Sequence, residues 1–534
     1  MARSVARPAA SRAKTVTPAR PALKPSAKSA AVTQAKKRPA RKTAVLVVHG
    51  MGEQRPMQTL WGLVKALWVD DPDHCRGDDE VYSKPDRLAG SHELRRITTR
   101  ESKSMPDRRV DFFELYWAHQ MQGNTVAGVF KAVKNLLIRN PDRVPEHLFG
   151  VWIVAWLVLV LIVVQSLALS LGLKALLGLF GVEVDDGAVW TLAALLFAGL
   201  NWAFGGLLNN WVGPVAGDAA RYLSPDPPNI AARQAIRNQA VDLLEALHAS
   251  KRYDRIVVVG HSLGTVVAYD AIAIAYGRIF HNDLLAAHRR PGAMAALEEL
   301  ESLTRRMRTA EEEKDGPGLA RLRLRYRTAQ RAYFEILRTA TRGDADATPL
   351  WLVSDFVSTG SPLSKADVLL STDRKGFDRR VALRDLITCP PFLEPVVEPT
   401  EEEKKALRKK GEKPPKPPPA RFSFPEADVR GPHHGAAFAP TVWTNLYFVT
   451  EKIVLGDVIA GRCGPLFGGG VLDIRMDRDR KGFRHLDYWD VKRDGGLDQP
   501  WIRALRKAVN LRLLDEQSLW GDQAAAPEID ANGV

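Results

Sequence analysis

The run Ile256-Val257-Val258-Val259-Gly260-His261-Ser262-Leu263-Gly264-Thr265-Val266-Val267-Ala268-Tyr269 decides how this chain is read. Its first four residues are apolar and β-branched, the composition of a buried strand. The residues from Thr265 to Ala273 read as a helix. Between them stands Gly260-x-Ser262-x-Gly264. A strand that turns sharply into a helix at G-x-S-x-G is a nucleophile elbow, in which a strained backbone lifts the serine hydroxyl above the sheet. Gly260 and Gly264 leave room where strand and helix come close. The helix that starts at once aims free N–H groups and the positive end of its dipole at the site. Alone, the pentapeptide also fits a surface turn; the flanking strand and helix are what favour the elbow.

Upstream, Ala44-Val45-Leu46-Val47-Val48 is a second buried strand and ends in His49-Gly50-Met51-Gly52. A strand running into H-G-x-G suits an oxyanion loop, with the backbone N–H groups of Met51 and Leu263 aimed at the reacting carbonyl oxygen. Gly50 and Gly52 give that loop its turn. His49 reads as a structural hydrogen-bonder, because it precedes the serine and closes a strand.

Composition bounds the rest. The chain has 534 residues, 45% hydrophobic and 26% charged, which is ordinary for a folded protein. The net charge is +14, and twelve Lys and Arg lie in residues 1–42, with no acidic residue before Glu53. The excess is therefore a basic tail, read as disordered and drawn to anionic lipid, and the remainder argues against a nucleic-acid surface. Three cysteines, Cys75, Cys389 and Cys463, lie far apart without metal spacing. The acidic run with His74 and Cys75 between Asp70 and Glu80 is too crowded for a metal site and reads as a surface loop.

Along the chain, residues 43–147 hold the first part of an α/β domain, with a strand at Val110–Trp117. Residues 148–217 change character. The stretch 151–173 is uncharged and spans roughly 35 Å as a helix, enough to cross a hydrocarbon core. A weaker apolar run covers 188–208. Lys131, Lys134, Arg139 and Arg143 before the first run, against Glu183, Asp185 and Asp186 between the two, place the flanks on the cytoplasmic side. This predicts a two-helix transmembrane hairpin in a multi-pass membrane protein, with a hydrophobic cap over the active site as the alternative. Residues 218–283 carry the nucleophile. An insertion at 284–345 holds two charged amphipathic runs, 292–313 and 318–340, around Asp315-Gly316-Pro317-Gly318; it reads as a helical hairpin with a solvated face, able to dock a protein partner. Residues 346–515 resume the sheet at Trp351–Ser358, Val442–Val449 and Val471–Arg475. They include a low-complexity loop at 394–420 and a closing helix at 498–515, and residues 516–534 read as frayed.

A serine needs a base within reach and an acid to orient that base, in the chain order Ser, Asp or Glu, His. His281 and His288 come before the sheet is complete, and His433 and His434 precede its last long strand. His485 alone follows it. Asp457, after the penultimate strand, is the expected acid, with Asp473, Asp355 and Glu451 as alternatives.

The chain resembles an α/β-hydrolase serine esterase or lipase, among bacterial membrane-associated members of poorly defined function. The residues that carry this are His49-Gly50-Met51-Gly52-Glu53-Gln54, Glu114-Leu115-Tyr116-Trp117-Ala118, the elbow, Gly360-Ser361-Pro362-Leu363, and His485 with Tyr488-Trp489. Such relatives often carry the acid in Asn-x-Tyr followed by Asp-Pro-Val. Here Asn445-Leu446-Tyr447 is present, but Asp457-Val458 comes late and lacks the proline. The resemblance implies a doubly wound, mostly parallel sheet and hydrolysis of a small-molecule or lipid ester, by Ser262, His485 and Asp457, without metal or cofactor. It also implies a membrane-anchored enzyme of the bacterial inner membrane with its hydrolase domain in the cytoplasm. Acyl transfer with the same residues, and a catalytically silent membrane scaffold, are the alternatives.

Overall fold

The computed structural model describes residues 41–50, 55–74, 81–89, 93–102, 104–121, 141, 222, 227–288, 290–339, 350–396, 400–402, 405, 409, 418–426, 429–449, 456–457, 459–476, 484–490, 499–521, 523 and 528–530, with single residues between 152 and 191. The strands are β1 (Arg41–Val48), β2 (Val81–Pro85), β3 (Arg95–Thr99), β4 (Arg108–Leu115), β5 (Arg255–His261), β6 (Val353–Thr359), β7 (Ser423–Glu426), β8 (Val429–Pro432), β9 (Val442–Phe448), β10 (Leu472–Met476) and β11 (Ile529–Asp530). The helices used below are α1 (Gln58–Val64), α2 (Pro227–Ala249), α3 (Leu263–His288), α4 (Ala293–Glu312), α5 (Gly316–Arg338) and α6 (Pro500–Val509). All these elements belong to the unit Ala40–Val534.

Nine strands form one sheet in the order β11-β10-β9-β6-β5-β1-β4-β3-β2. From β4 to β11 every neighbour is parallel, and β3 and β2 extend the sheet antiparallel. This is an α/β fold. Central strands covered on both faces need continuous apolar runs, and β5, β6 and β9 are buried at every residue. One face packs α2 and α3 through Leu244, Leu247, Val267 and Ile272. The other packs α1 and α6 through Leu60, Leu63, Ile502 and Leu505. Register aligns Val48 with Gly260, Gly260 with Ser358, Ser358 with Asn445, and Asn445 with Asp473. The carboxyl ends of β1, β5 and β6 are therefore level to within a residue, β9 and β10 run three residues past that line, and this side of the sheet is where open α/β folds place their ligands.

The two insertions turn out differently. The two-span hairpin expected over 148–217 falls almost wholly outside the described residues. Among the described residues, no helix is long and apolar enough to cross a membrane. The charged insertion does form a helical hairpin, α4 and α5, turned at Asp315, whose carboxylate accepts the Gly318 amide at 2.9 Å. It has the expected solvated face, with Glu299, Arg308, Glu312 and Arg325 exposed, but not all of its charges lie there. Arg327 donates to Glu516 at 2.7 Å, Arg331 to Glu516 at 2.9 Å and to Asp355 at 2.5 Å, and Gln330 to the carbonyls of Phe438 and Thr441. A charge pattern cannot distinguish a solvated arginine from one whose partner lies 189 residues away. The end of the chain is corrected with it. Glu516–Trp520 is a short helix that buries Glu516, Leu519 and Trp520, and β11 is an edge strand, so these two pieces are docked where fraying was expected. The closing helix stops at Val509, because Asn510 takes a left-handed conformation.

At the amino ends of the strands, Arg255 bridges Asp355 at 2.5 Å and the carbonyl of Asn510 at 2.7 Å. Burial pushes the Glu516 carboxyl up, but the charges and hydrogen bonds of Arg327 and Arg331 hold it below its ordinary value. A depressed carboxylate gives stability that is present above its unfolded value, about 4.5, and lost as pH falls below it. Glu516→Ala is expected to cost about 3–5 kcal/mol at pH 7, since it leaves Arg327 buried without a carboxylate and Arg331 with Asp355 alone. The penalty should shrink at pH 3–4; urea unfolding at the two pH values measures it.

Candidate active site

Ser262 occupies a left-handed backbone position, φ 53°, at the junction of β5 and α3. A non-glycine residue there costs of order 1–3 kcal/mol and needs outside support. The support is visible. The Ser262 amide donates to the Thr359 carbonyl at 2.9 Å, and its carbonyl accepts from the Thr265 amide and hydroxyl at 2.9 and 2.7 Å. Ser361 Oγ lies 2.7 Å from Thr265 Oγ1 and ties the turn to the end of β6. A Cβ on Gly264 would meet the carbonyl oxygens of Val48 and His49 at 2.3 Å, and one on Gly50 would meet Ser262 Cβ at 2.8 Å. The elbow and the loop after β1 are thus pressed together, backbone to backbone.

Ser262, His485 and Asp457 meet above the strand ends. Ser262 Oγ lies 2.7 Å from His485 Nε2, and His485 Nδ1 lies 2.9 Å from Asp457 Oδ2. All three are buried. Burial pushes the Asp457 carboxyl up, but the charge and hydrogen bond of His485, with hydrogen bonds from Tyr488 and the Ala460 amide, outweigh it and hold the pKa below the ordinary value. An ionised Asp457 can only accept, so Nδ1 carries the proton and Nε2 accepts the serine hydroxyl. The loop holding Asp457 closes on the carboxylate itself: the amides of Ile459 and Ala460 donate to Oδ1 at 3.0 and 3.2 Å.

The alternative acids are engaged elsewhere. Asp473 accepts from Asn445 Nδ2 at 2.8 Å and from the amides of Cys463 and Gly464. Asp355 pairs with Arg255 and Arg331 at the far end of the sheet. Glu451 lies outside the described residues. His433 is buried against the Phe392 carbonyl and the Gly435 amide. The side chains of His281 and His288 also lie outside the described residues. His49 holds its own loop: Nδ1 donates to the Gly50 carbonyl at 2.7 Å, and Nε2 accepts from the Trp117 amide at 3.0 Å. Burial lowers it to about 4, so it stays neutral.

Of the oxyanion donors, Leu263 is the first residue of α3, so its N–H has no acceptor within that helix. Met51 and Gly52 lie outside the described residues. The chain re-emerges at Arg55, and the start of α1 is held by Glu114, which accepts the Met57 amide at 2.5 Å. Among the described residues no group of three or more His, Cys, Asp or Glu is arranged to hold a metal ion.

Three residues that frame the site were not singled out from sequence as site residues. His261 Nε2 donates to the His485 carbonyl at 2.7 Å, and burial lowers it to about 3. Tyr488 donates to Asp457 Oδ2 at 2.7 Å. Gly360, at φ +61°, admits the Tyr488 ring, which a Cβ there would meet at 2.8 Å. His261 fills a position that G-x-S-x-G leaves open, and Tyr488 sits one turn beyond the base. Gly360 and Tyr488 stand among the residues that carry the family resemblance and His261 lies inside the elbow, but nothing in the sequence assigned any of them a role. No protein-family model, curated protein or solved structure matches this chain.

Two glycines give opposite expectations. Gly264→Ala should destabilise by roughly 3 kcal/mol or more, because backbone carbonyls cannot yield as a side chain would. Gly277→Ala, in the middle of α3 with only His434 Cβ near at 3.9 Å, should stabilise by about 0.5–1 kcal/mol. Thermal denaturation of the pair measures both.

Proposed function

We propose that this chain is a membrane-anchored serine hydrolase of the α/β-hydrolase kind that cleaves carboxylic esters, with lipid esters among its substrates. The observation that carries the reading is the line Asp457–His485–Ser262, at 2.9 and 2.7 Å, on the carboxyl side of the parallel strands. Ser262 Oγ attacks the acyl carbon while its proton passes to His485 Nε2. The tetrahedral oxyanion is stabilised by the Leu263 amide, with the Met51 amide as its partner. The intermediate collapses, and Nε2–H protonates the leaving alcohol. Water then attacks the acyl-serine by the same route and releases the acid. Asp457 holds the imidazole tautomer and stabilises the imidazolium throughout. These steps call on no metal or organic cofactor.

Membrane attachment rests on the apolar run at 151–173. The described residues within it are helical, and Ile153, Trp156, Leu157, Leu159, Val160 and Val164 are all exposed. Large apolar residues exposed together along a helix mark a surface that water does not cover in use. Two spans that enter and leave on one side keep β1 and β5 together, as their pairing from Thr43–Arg255 to Val48–Gly260 demands. A single span would part them. The cytoplasmic face of a bacterial inner membrane follows from the basic flanks.

A fluorophosphonate probe should label the protein, and Ser262→Ala should abolish labelling while the protein stays folded. His485→Ala should lower turnover by several orders of magnitude and Asp457→Asn by ~10⁴-fold. Labelling that persists in Ser262→Ala would move the nucleophile, and an unlabelled wild type would favour a silent scaffold. If the reacted enzyme prefers an added alcohol to water, the activity is acyl transfer.

Membranes washed with carbonate should retain the protein, and a cysteine near Asp185 should react from the side opposite Ser262. Release by carbonate would place the apolar run over the pocket as a cap.

A further inference from the structure

The Asp457 carboxylate is filled on all sides. Oδ1 accepts the amides of Ile459 and Ala460, while Oδ2 accepts both His485 Nδ1 and the Tyr488 hydroxyl, at 2.9 and 2.7 Å. An ionised carboxylate has about four acceptor positions, so no water is needed to complete it. Tyr488 in turn accepts the Phe448 amide at 3.2 Å. Two donor chains therefore converge on Asp457 Oδ2, one from the Phe448 amide through the Tyr488 hydroxyl and the other from the Ser262 hydroxyl through His485. Each donor strengthens the next bond only as far as Asp457, where the two chains meet.

We propose that Tyr488 is a positioning residue that tunes the base: by competing with His485 for the same oxygen of Asp457, it weakens the hold of the acid on the imidazolium. This rests on the serine hydrolase reading. Two donors on one oxygen divide its negative charge, so each bond is weaker than it would be alone. An imidazolium held too strongly gives its proton reluctantly to the leaving alcohol; one not held forms too rarely to activate the serine.

The surroundings keep Tyr488 in this role and no other. Burial pushes its phenol well above the ordinary value, and Asp457 pushes it further, so it remains a donor across the working range. The ring is fixed between His261, at a centroid distance of 5.7 Å, and Phe448, at 4.9 Å. Gly360 leaves the space that the ring edge enters, and its backbone carries the same junction as Ser361, which bonds to Thr265 below the elbow. The charged and titratable groups facing Asp457 and His485 from their neighbours are Tyr488, His261 at the end of β5 and, on the turn after β6, Lys365.

Tyr488→Phe keeps the ring and deletes the hydroxyl. The test is the pH profile of kcat/KM for a neutral p-nitrophenyl ester, with wild type and variant side by side. Without its competitor, Asp457 stabilises the imidazolium more, so the acid limb should move to higher pH by about half a unit or more. Plateau kcat/KM should fall about 3- to 30-fold, mostly in kcat. Gly360→Ala, which pushes the ring away, should shift the limb in the same direction if it folds. An unmoved acid limb in Tyr488→Phe, with activity lowered uniformly at every pH, would leave the tyrosine a packing residue and overturn the proposal. A shift to lower pH would also overturn it. A wild type that hydrolyses no ester would fail the hydrolase reading instead, and is told apart before the variant is made.

Discussion

The constraint on which the candidate site depends is the contact between the start of α3 and the end of β1. Gly264 lies so near the carbonyl oxygens of Val48 and His49 that no Cβ fits. Strand pairing brings these segments level, and the glycine lets the helix begin there and nowhere further along. Ser262 is caught between them in a backbone conformation it would not adopt alone, held by Thr359 on one side and Thr265 on the other. The hydroxyl direction, the free amide of Leu263 and the position that His485 must reach all follow from that one approach.

Buried polar groups lie at both ends of the sheet and do different work. At the amino ends, three arginines, Arg255, Arg327 and Arg331, share two carboxylates, Asp355 and Glu516, and tie the insertion to the core. Every charge there has a fixed partner, so the arrangement is rigid and chemically quiet. At the carboxyl ends, Asp457 is fixed just as firmly, but the line of bonds it begins ends on a serine hydroxyl, which a substrate can meet. Buried networks of this kind are stable only when every member is satisfied. The candidate site meets that condition with one reactive group at its end.

Much of this was legible in the sequence because it rests on local pattern. The buried strands announce themselves as β-branched runs, and β1, β4, β5, β6, β9 and β10 fall within a few residues of their expected positions. The elbow is a local motif. The order serine, acid, base then narrows the candidates to residues that the structure brings together, although Asp457 lacks the sequence context usual for such an acid. What escaped depends on distant partners. The β2–β3 edge is short and mixed in character, with Lys84 and Pro85 inside a strand. β11 has two residues, too few for any periodicity. Arg327 and Glu516 each look solvated until the fold sets them 2.7 Å apart. Tyr488 and His261 lie in or beside recognisable motifs, but their contacts with Asp457 and His485 arise only once the fold sets His485 over the elbow.

The central claim is that an acyl group passes through Ser262. Mass spectrometry of the protein quenched in acid during turnover of an activated ester tests it directly. The account predicts an acyl adduct on the peptide that contains Ser262, accumulating before steady state and disappearing when substrate is exhausted. An adduct on a different residue, or ester turnover with Ser262 unmodified at every time point, would contradict it.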